Sequence, residues 1–297
     1  MIKRLPLLLA AVLLAVSLQT HAADVTVIYN KNEPKNFIAL LQDALEHTKS
    51  EGAYSIKPTD TALPTARMID EIADNTGTIS IMTRGSNIEE EKRLLPIRIP
   101  LDKGLLGYRI MLVRKQDLPK FAAIQSVDEL KLLRVGQGSR WPDTKILEGA
   151  GFKVTKGYYA AGLLRMLNED RFDMFARATW EATGNLEDAK KQGLDDLVIE
   201  PSLAVFYPYP RIFMVSRKGD GPALAARIER GLRLMIKDGS FDKAFNDFFG
   251  PAIESTQLRE RKIFRVDNKL LSPDTPLDDK SLWFSVDAPT TKPSSKP

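Results

Sequence analysis

The sequence predicts an α/β protein of two lobes joined by two crossover strands. Three observations carry that expectation. Apolar stretches alternating with a period of two are followed, several times over, by stretches with helical spacing. A second series of the same kind begins after about Val113 and continues to about Arg211. The apolar run Ile212–Val215 then stands where the chain must return to the first series. Strand–helix alternation implies a largely parallel sheet in each lobe. Two passages between the lobes make a hinge and a cleft suited to closing on a small ligand. The expected division is residues 23–113 with 213–286 for the first lobe, and 114–212 for the second.

In chain order, Val25–Tyr29 reads as a strand, and Phe37, Leu40, Leu41, Ala44 and Leu45 mark a helix packed on it. Tyr54–Ile56 is a second strand, and Ala66, Ile69 and Ala73, with Met68 and Ile72, give a second helix that closes near Gly77. Thr78–Met82 reads as the third strand, followed by the polar loop Thr83–Asn87. Ligands of open α/β sheets sit beyond the carboxyl ends of the strands, which puts Tyr29, Asn30 and the 83–87 loop on the functional rim. The outgoing passage is Leu94–Val113. From Gly107 onward it alternates, with Arg109, Met111 and Val113 on one face.

The second series comprises a strand at Leu132–Gly136, the loop Gln137–Pro142, and a helix from about Asp143, with Pro142 suited to the start. Further strands are expected near Phe152–Val154, Phe172–Ala176 and Leu197–Ile199, with helices around Leu163–Leu167 and Leu186–Gln192. After the return strand, Leu224, Ile228, Leu232 and Met235 share one helical face until Asp238-Gly239-Ser240 stops the helix and starts another. Phe241, Phe245 and Phe248 continue the apolar face to Gly250-Pro251, a core stripe and not a ligand box. Ser255–Val286 reads as a strand-poor strap over the first lobe, held by Trp283 and Phe284. The Pro-, Ser- and Thr-rich stretch 287–297 reads as a disordered tail.

The first 22 residues stand apart. A basic Met1–Arg4, an apolar Leu5–Leu18 and the small residues Thr20 and Ala22 form a secretory signal with cleavage expected after Ala22. No later run approaches the ~20 apolar residues of a membrane span. The expected product is an exported, periplasmic, monomeric chain of 275 residues. Its net charge falls from +4 to +2 once Lys3 and Arg4 leave, and no Lys/Arg cluster points to nucleic acid. The absence of cysteine excludes disulfides, thiol nucleophiles and thiolate metal sites. Of two histidines, His21 leaves with the signal and His47 lies late in a helix, a structural place for a cation. One histidine excludes multi-His metal sites and leaves little for a Ser-His-Asp arrangement. Neither a metal nor a cofactor is expected.

Arg109 follows two glycines, Gly104 and Gly107, that allow close backbone approach. A guanidinium so placed either grips a carboxylate with paired hydrogen bonds or simply reaches water. The loop after Arg134–Gly138 is not a dinucleotide fingerprint, because position 141 is Trp and not Gly.

Five motifs, in order, then resemble one family. They are Glu91-Lys-Arg93, Gly107-Tyr-Arg109-Ile-Met-Leu-Val113, Arg134-Val-Gly136-Gln-Gly138-Ser139, Asp170-Arg-Phe-Asp173-Met-Phe175 and Asp238-Gly-Ser-Phe-Asp242. Their order and spacing over most of Val25–Phe249 are similar to those of periplasmic solute-binding proteins of extracellular family 3, known for binding polar amino acids. The resemblance implies a type II periplasmic-binding fold, with Arg109 gripping a ligand carboxylate and Ser139 assisting from a helix N-terminus. The second role accords with the anion preference of helix starts, although Ser139 is also readable as a plain N-cap. It also implies a structural role for Asp173. One departure stands out: where amino-acid binders hold the ligand ammonium with an Asp, this chain has Ala178, beside Arg177, with Glu181 as a candidate substitute. If Arg177, Arg84 and Arg140 face the cleft, an anion with several acidic groups is favoured over a zwitterion. Trp141 and Tyr29 are candidates for stacking on a planar ligand part.

The function expected from these readings is capture of a small anionic or amino-acid-like, carboxylate-bearing solute for uptake through an ABC-type membrane permease. The same architecture also serves a sensor acting in trans on a membrane signalling partner. An enzyme is the remote alternative, since the cleft loops offer neither a histidine nor a carboxylate pair for acid–base work.

Overall fold

A computed structural model describes residues 24–287. The expected signal segment with its cleavage position after Ala22, and the expected tail beyond Asp287, lie outside the described residues. The elements in chain order are β1 (Val25–Tyr29), α1 (Lys35–His47), β2 (Tyr54–Pro58), α2 (Thr65–Asp74), β3 (Ile81–Gly85), α3 (Ile88–Arg93), β4 (Leu95–Ile97) and β5 (Tyr108–Arg114). Then come α4 (Leu118–Ala122), α5 (Val127–Lys131), β6 (Arg134–Gly138), α6 (Pro142–Gly149), β7 (Lys153–Gly157), α7 (Ala160–Asn168), β8 (Met174–Ala178), α8 (Thr179–Lys191), β9 (Leu197–Ile199) and β10 (Leu203–Phe206). The chain closes with β11 (Arg211–Val215), α9 (Gly221–Asp238), α10 (Ser240–Ser255) and β12 (Lys262–Arg265).

The strands form two sheets. The first has the order β2-β1-β3-β11-β4, and the second β12-β10-β5-β8-β6-β7 with β9 also on β5. In the first sheet β1 runs parallel to β2 and β3, while β11 returns antiparallel to β3 and β4. In the second, β6, β7 and β8 are parallel, and β5 runs antiparallel to β8, β9 and β10. The α/β two-lobe architecture is therefore as the sequence predicts.

Helix α1 forms because Phe37, Leu40, Leu41, Ala44 and Leu45 fall on one face, and all five are buried. Asn87 caps α3, its side chain accepting from Glu90 N at 2.9 Å. Gly239, at φ 84°, closes α9 in the left-handed conformation that a Cβ disfavours, and α10 follows directly. Trp180 on α8 packs against Phe249 on α10, ring centroids 4.9 Å apart, so the two lobes touch through aromatic rings.

Several boundaries fall elsewhere than expected. β3 begins at Ile81, so Thr83, Arg84 and Gly85 lie in a strand and not in a loop. β5, counted with the first lobe, has all its partners in the second sheet. The reason is its composition: all seven of its residues are buried, which requires neighbours on both edges and both faces. The segment 255–286 does carry a strand, β12, which pairs with β10 in the second sheet. Helix α10 runs through Pro251 to Ser255, and its buried stripe is Phe241, Phe245 and Phe249. Phe248 is 48% exposed against 2% for Phe249, since a spacing of four and not three keeps a side chain on this face. Trp283 does hold the strap, packing over Gly104, and Phe284 lies edge-on to Tyr108. Asp173 is structural as expected, accepting from Arg134 N at 2.8 Å and from Lys120 Nζ at 2.9 Å.

The passages between the sheets meet at Gly107. A Cβ on Gly107 would lie 2.0 Å from the backbone oxygen of Tyr207, while Tyr207 N donates to Gly107 O at 3.2 Å. Because backbone cannot rotate aside, Gly107→Ala is expected to destabilise the fold by about 1–3 kcal/mol, the usual cost of overpacking. Urea denaturation measures this, and an unchanged midpoint would contradict the close approach described.

Candidate functional site

The carboxyl ends of β1 and β3, the start of β11, and the carboxyl ends of β6 and β8 carry a concentration of charge. Arg109, the second residue of β5, lies opposite Ala178 on β8 and Val205 on β10. It is only 2% exposed, so its charge must be met from within the protein. Its Nε donates to the Tyr207 hydroxyl at 2.9 Å. Its Nη2 is ion-paired with Asp143, and its Nη1 lies 3.4 Å from Glu181 Oε2. The Tyr207 hydroxyl in turn donates to Asp143 Oδ1 at 2.5 Å. The guanidinium also lies over the rings of Tyr207 and Tyr209, at 5.6 and 5.8 Å. Burial alone would weaken this charge, but Asp143, Tyr207 and Glu181 outweigh it and hold the proton more firmly than usual.

The local sequence explains the partners. Asp143 stands in the first turn of α6, where an acid is favoured, and the helix aims it at β5. Glu181 stands in the first turn of α8 and accepts from the N-cap amide, Ala178 N, at 3.2 Å. Tyr207 and Tyr209 alternate with prolines in the short return Tyr207-Pro208-Tyr209-Pro210, which fixes their directions. Burial pushes both hydroxyls well up in pKa, so both stay protonated.

Arg177 is part of the same cluster and is not solvated. Its Nη2 lies 3.1 Å from Glu181 Oε2, its Nε donates to Asn185 Oδ1 at 2.8 Å, and its guanidinium stacks on Trp141 at 4.4 Å. Burial, together with the like charge of Arg109, lowers the Arg177 pKa against the pull of Glu181. The Glu181 carboxyl goes down despite its burial, because Arg177 and Arg109 both favour the anion. Trp141 is the N-cap residue of α6, stacked 6.2 Å from Phe175 and resting on Gly138, where a Cβ would meet the indole at 2.4 Å. It packs and shields Arg177.

The remaining expected residues lie apart from this cluster or already have partners. Arg84 forms a two-point pair with Glu90, Nε to Oε2 and Nη2 to Oε1, each at 3.0 Å. Ser139 is exposed and does not begin a helix, since α6 starts at Pro142; its amide donates to Gly157 O at 2.7 Å. Arg140 is exposed beside it, and Tyr29 is half-buried at the end of β1. The expected surplus of cleft cations is thus corrected: Arg109, Arg177 and Arg84 each have an internal carboxylate. Among the described residues no group of three or more His, Cys, Asp or Glu side chains is arranged to hold a metal ion.

A second group lies on the first lobe, where Thr83 stands on the rim that the sequence predicts and Arg211 and Glu33 carry no signal in the sequence. Arg211 opens β11 and its Nη1 donates to Thr83 Oγ1 at 3.1 Å. The Thr83 hydroxyl donates to the Glu33 carboxylate. Tyr209 stands beside them on Gly85, where a Cβ would lie 2.2 Å from the ring.

No protein-family model matches the chain, and no curated protein sequence matches it. Solved structures do. A probable amino-acid ABC transporter extracellular-binding protein of Bacillus subtilis aligns at 14% identity with a TM-score of 0.53, covering 77% of this chain and 99% of that one. A structure described with glutathione import in Gram-positive bacteria, via GshT and the cystine ABC importer TcyBC of Streptococcus mutans, aligns at 14% identity and a TM-score of 0.50, covering 77% and 95%. An ancestral arginine-binding protein bound to glutamine aligns at 20% identity with a TM-score of 0.48, covering 76% and 98%. The first of these carries the fold: this chain has the two-lobe fold of the periplasmic binding proteins.

Tyr207→Phe removes the hydroxyl that both accepts from Arg109 and donates to Asp143. The loss leaves a buried charged donor and acceptor short of one bond each, and about 1–3 kcal/mol of stability is expected to go with it. Chemical denaturation checks this, and a variant as stable as the parent would show that the hydroxyl is not engaged.

Proposed function

We propose that the chain is a periplasmic solute-binding protein of the extracellular family 3 kind. It takes a small amino-acid-like solute, bearing a carboxylate, between its lobes and hands it to a membrane permease. The observation that carries this reading is the collection of buried charge where the strand ends of both sheets converge. Buried ion pairs contribute little net stability compared with apolar packing, so their concentration at one place favours a binding role. The position agrees with the rule that open α/β sheets bind ligands beyond the carboxyl ends of their strands.

Charge balance narrows the solute class. Arg109 and Arg177 are offset by Asp143 and Glu181, and Arg84 by Glu90. A multiply charged anion entering such a site meets no surplus of positive charge, whereas a zwitterion exchanges one neutral arrangement for another. The sequence-based preference for an anion with several acidic groups is therefore replaced by a preference for a zwitterion. Contact between the lobes through Trp180 and Phe249 supports closure by hinge motion about the Gly107–Tyr207 crossing.

Isothermal titration of the secreted protein against the common L-amino acids and a set of dicarboxylates tests this reading. Binding of at least one amino acid at about micromolar Kd or tighter, some 8 kcal/mol, is expected, with dicarboxylates weaker. No heat from any amino acid, or tighter binding of a dicarboxylate, would contradict it.

A further inference from the structure

The four arginines around the interlobe contact are not equivalent. Arg109, Arg177 and Arg84 each lie within ion-pair distance of a carboxylate of the chain itself. Among the described residues Arg211 forms no such pair, and its Nε is buried with no hydrogen-bond partner. A buried donor without an acceptor costs about 1–3 kcal/mol, and more when charged, so an orphan of this kind needs an explanation. The guanidinium lies over the Phe37 ring at 5.2 Å, a contact that leaves Nε without an acceptor.

Glu33 is the complement. Among the described residues it has no ion-paired cation, although it lies in the loop between β1 and α1 on the same rim. Burial lifts its carboxyl above the ordinary range, and the Thr83 hydrogen bond and the Arg211 charge only partly reverse this. One hydroxyl, that of Thr83, joins the two: it accepts from Arg211 Nη1 and donates to Glu33 Oε1. A cation and an anion are thus held on either side of a threonine, close but not paired with each other. On the opposite lobe stands Glu181, near enough to feel the Arg211 charge.

We propose that Glu33, Thr83 and Arg211 form the ligand-charge subsite of the first lobe, with Arg211 receiving the solute carboxylate and Glu33 its ammonium group. Arg109, assigned the carboxylate by resemblance, is instead the fixed interior charge of the second lobe, already neutralised by Asp143 and Glu181. The spacing of the subsite fits an α-amino acid in kind: an ammonium and a carboxylate on one carbon present opposite charges to two side chains bridged by one hydroxyl. This assignment rests on the reading of the protein as a binder of amino-acid-like solutes.

The test uses each of the common L-amino acids as a probe on the secreted protein, followed by the α-amide and N-acetyl forms of the best binder. Arg211→Gln is expected to weaken that binder by roughly 10- to 100-fold, the loss of a charge-assisted hydrogen bond. Glu33→Gln should weaken it to a similar degree while leaving the N-acetyl form nearly unaffected. To separate the relay from folding, Thr83→Ser, which keeps the hydroxyl, is compared with Thr83→Val: the first should bind as the parent does and the second should not. Thermal midpoints confirm that each variant is folded. Parental affinity in Arg211→Gln, or equal binding of acid and α-amide, would overturn the assignment and leave the solute-binding reading standing. If the parent protein binds no amino acid at all, both fall together.

Discussion

A guanidinium with almost no exposure to water, planted on a strand with neighbours on both edges, requires its charge to be answered on the spot, and the fold of the second lobe is arranged around that requirement. Arg109 takes its place between β8 and β10. Two helix starts, α6 and α8, then bring Asp143 and Glu181 to it, and the return passage brings Tyr207. Withdrawal of any one partner leaves the others buried and incompletely bonded, which is the costly half of the energetics of interior charge. The cluster therefore acts as a unit. It ties the first turns of two helices to the central strand and to the hinge.

The first lobe is built differently. Its charges at the corresponding rim are either closed off, as in Arg84 with Glu90, or held apart by a hydroxyl, as in Glu33 and Arg211. One lobe thus has its electrostatics settled internally, and the other has an unmatched pair facing the same region. That asymmetry distinguishes the two halves: the second lobe has Trp141 stacked over an Arg177 that is already paired with Glu181, and the first leaves Arg211 and Glu33 joined only through the Thr83 hydroxyl. The glycines at 85 and 107 let Tyr209 and the return backbone come close enough for the two halves to meet.

Much of this was legible in the residues. Alternation of period two and of period 3.6 gave the order of strands and helices, and Ile212–Val215 does return to the first sheet, although β12 later adds a strand to the second. Arg109 stood out because a fixed charge amid apolar alternation is rare, and Glu181 because the usual acid is replaced by Ala178. Other features were invisible for physical reasons. Asp143 reads as an ordinary acid in a helix's first turn, and only the tertiary approach of α6 to β5 makes it the partner of Arg109. The tyrosines of 207–210 look like loop residues until the crossing at Gly107 places their rings. β12 is four residues long with two exposed lysine and arginine ends, too short for periodicity to register. Arg211 and Glu33 are 178 positions apart and meet through Thr83, a relation that no local pattern encodes.

The buried charge of the second lobe depends most directly on the bond between Arg109 and Asp143, and a double-mutant cycle measures it. With Arg109→Met, Asp143→Asn and the combined variant, urea denaturation gives the coupling free energy of the pair. A coupling of about 0.5–3 kcal/mol is predicted, the range for contacting members of one network. Additive losses, with a coupling below about 0.5 kcal/mol, would mean that the buried guanidinium is not held by this carboxylate and would contradict the account.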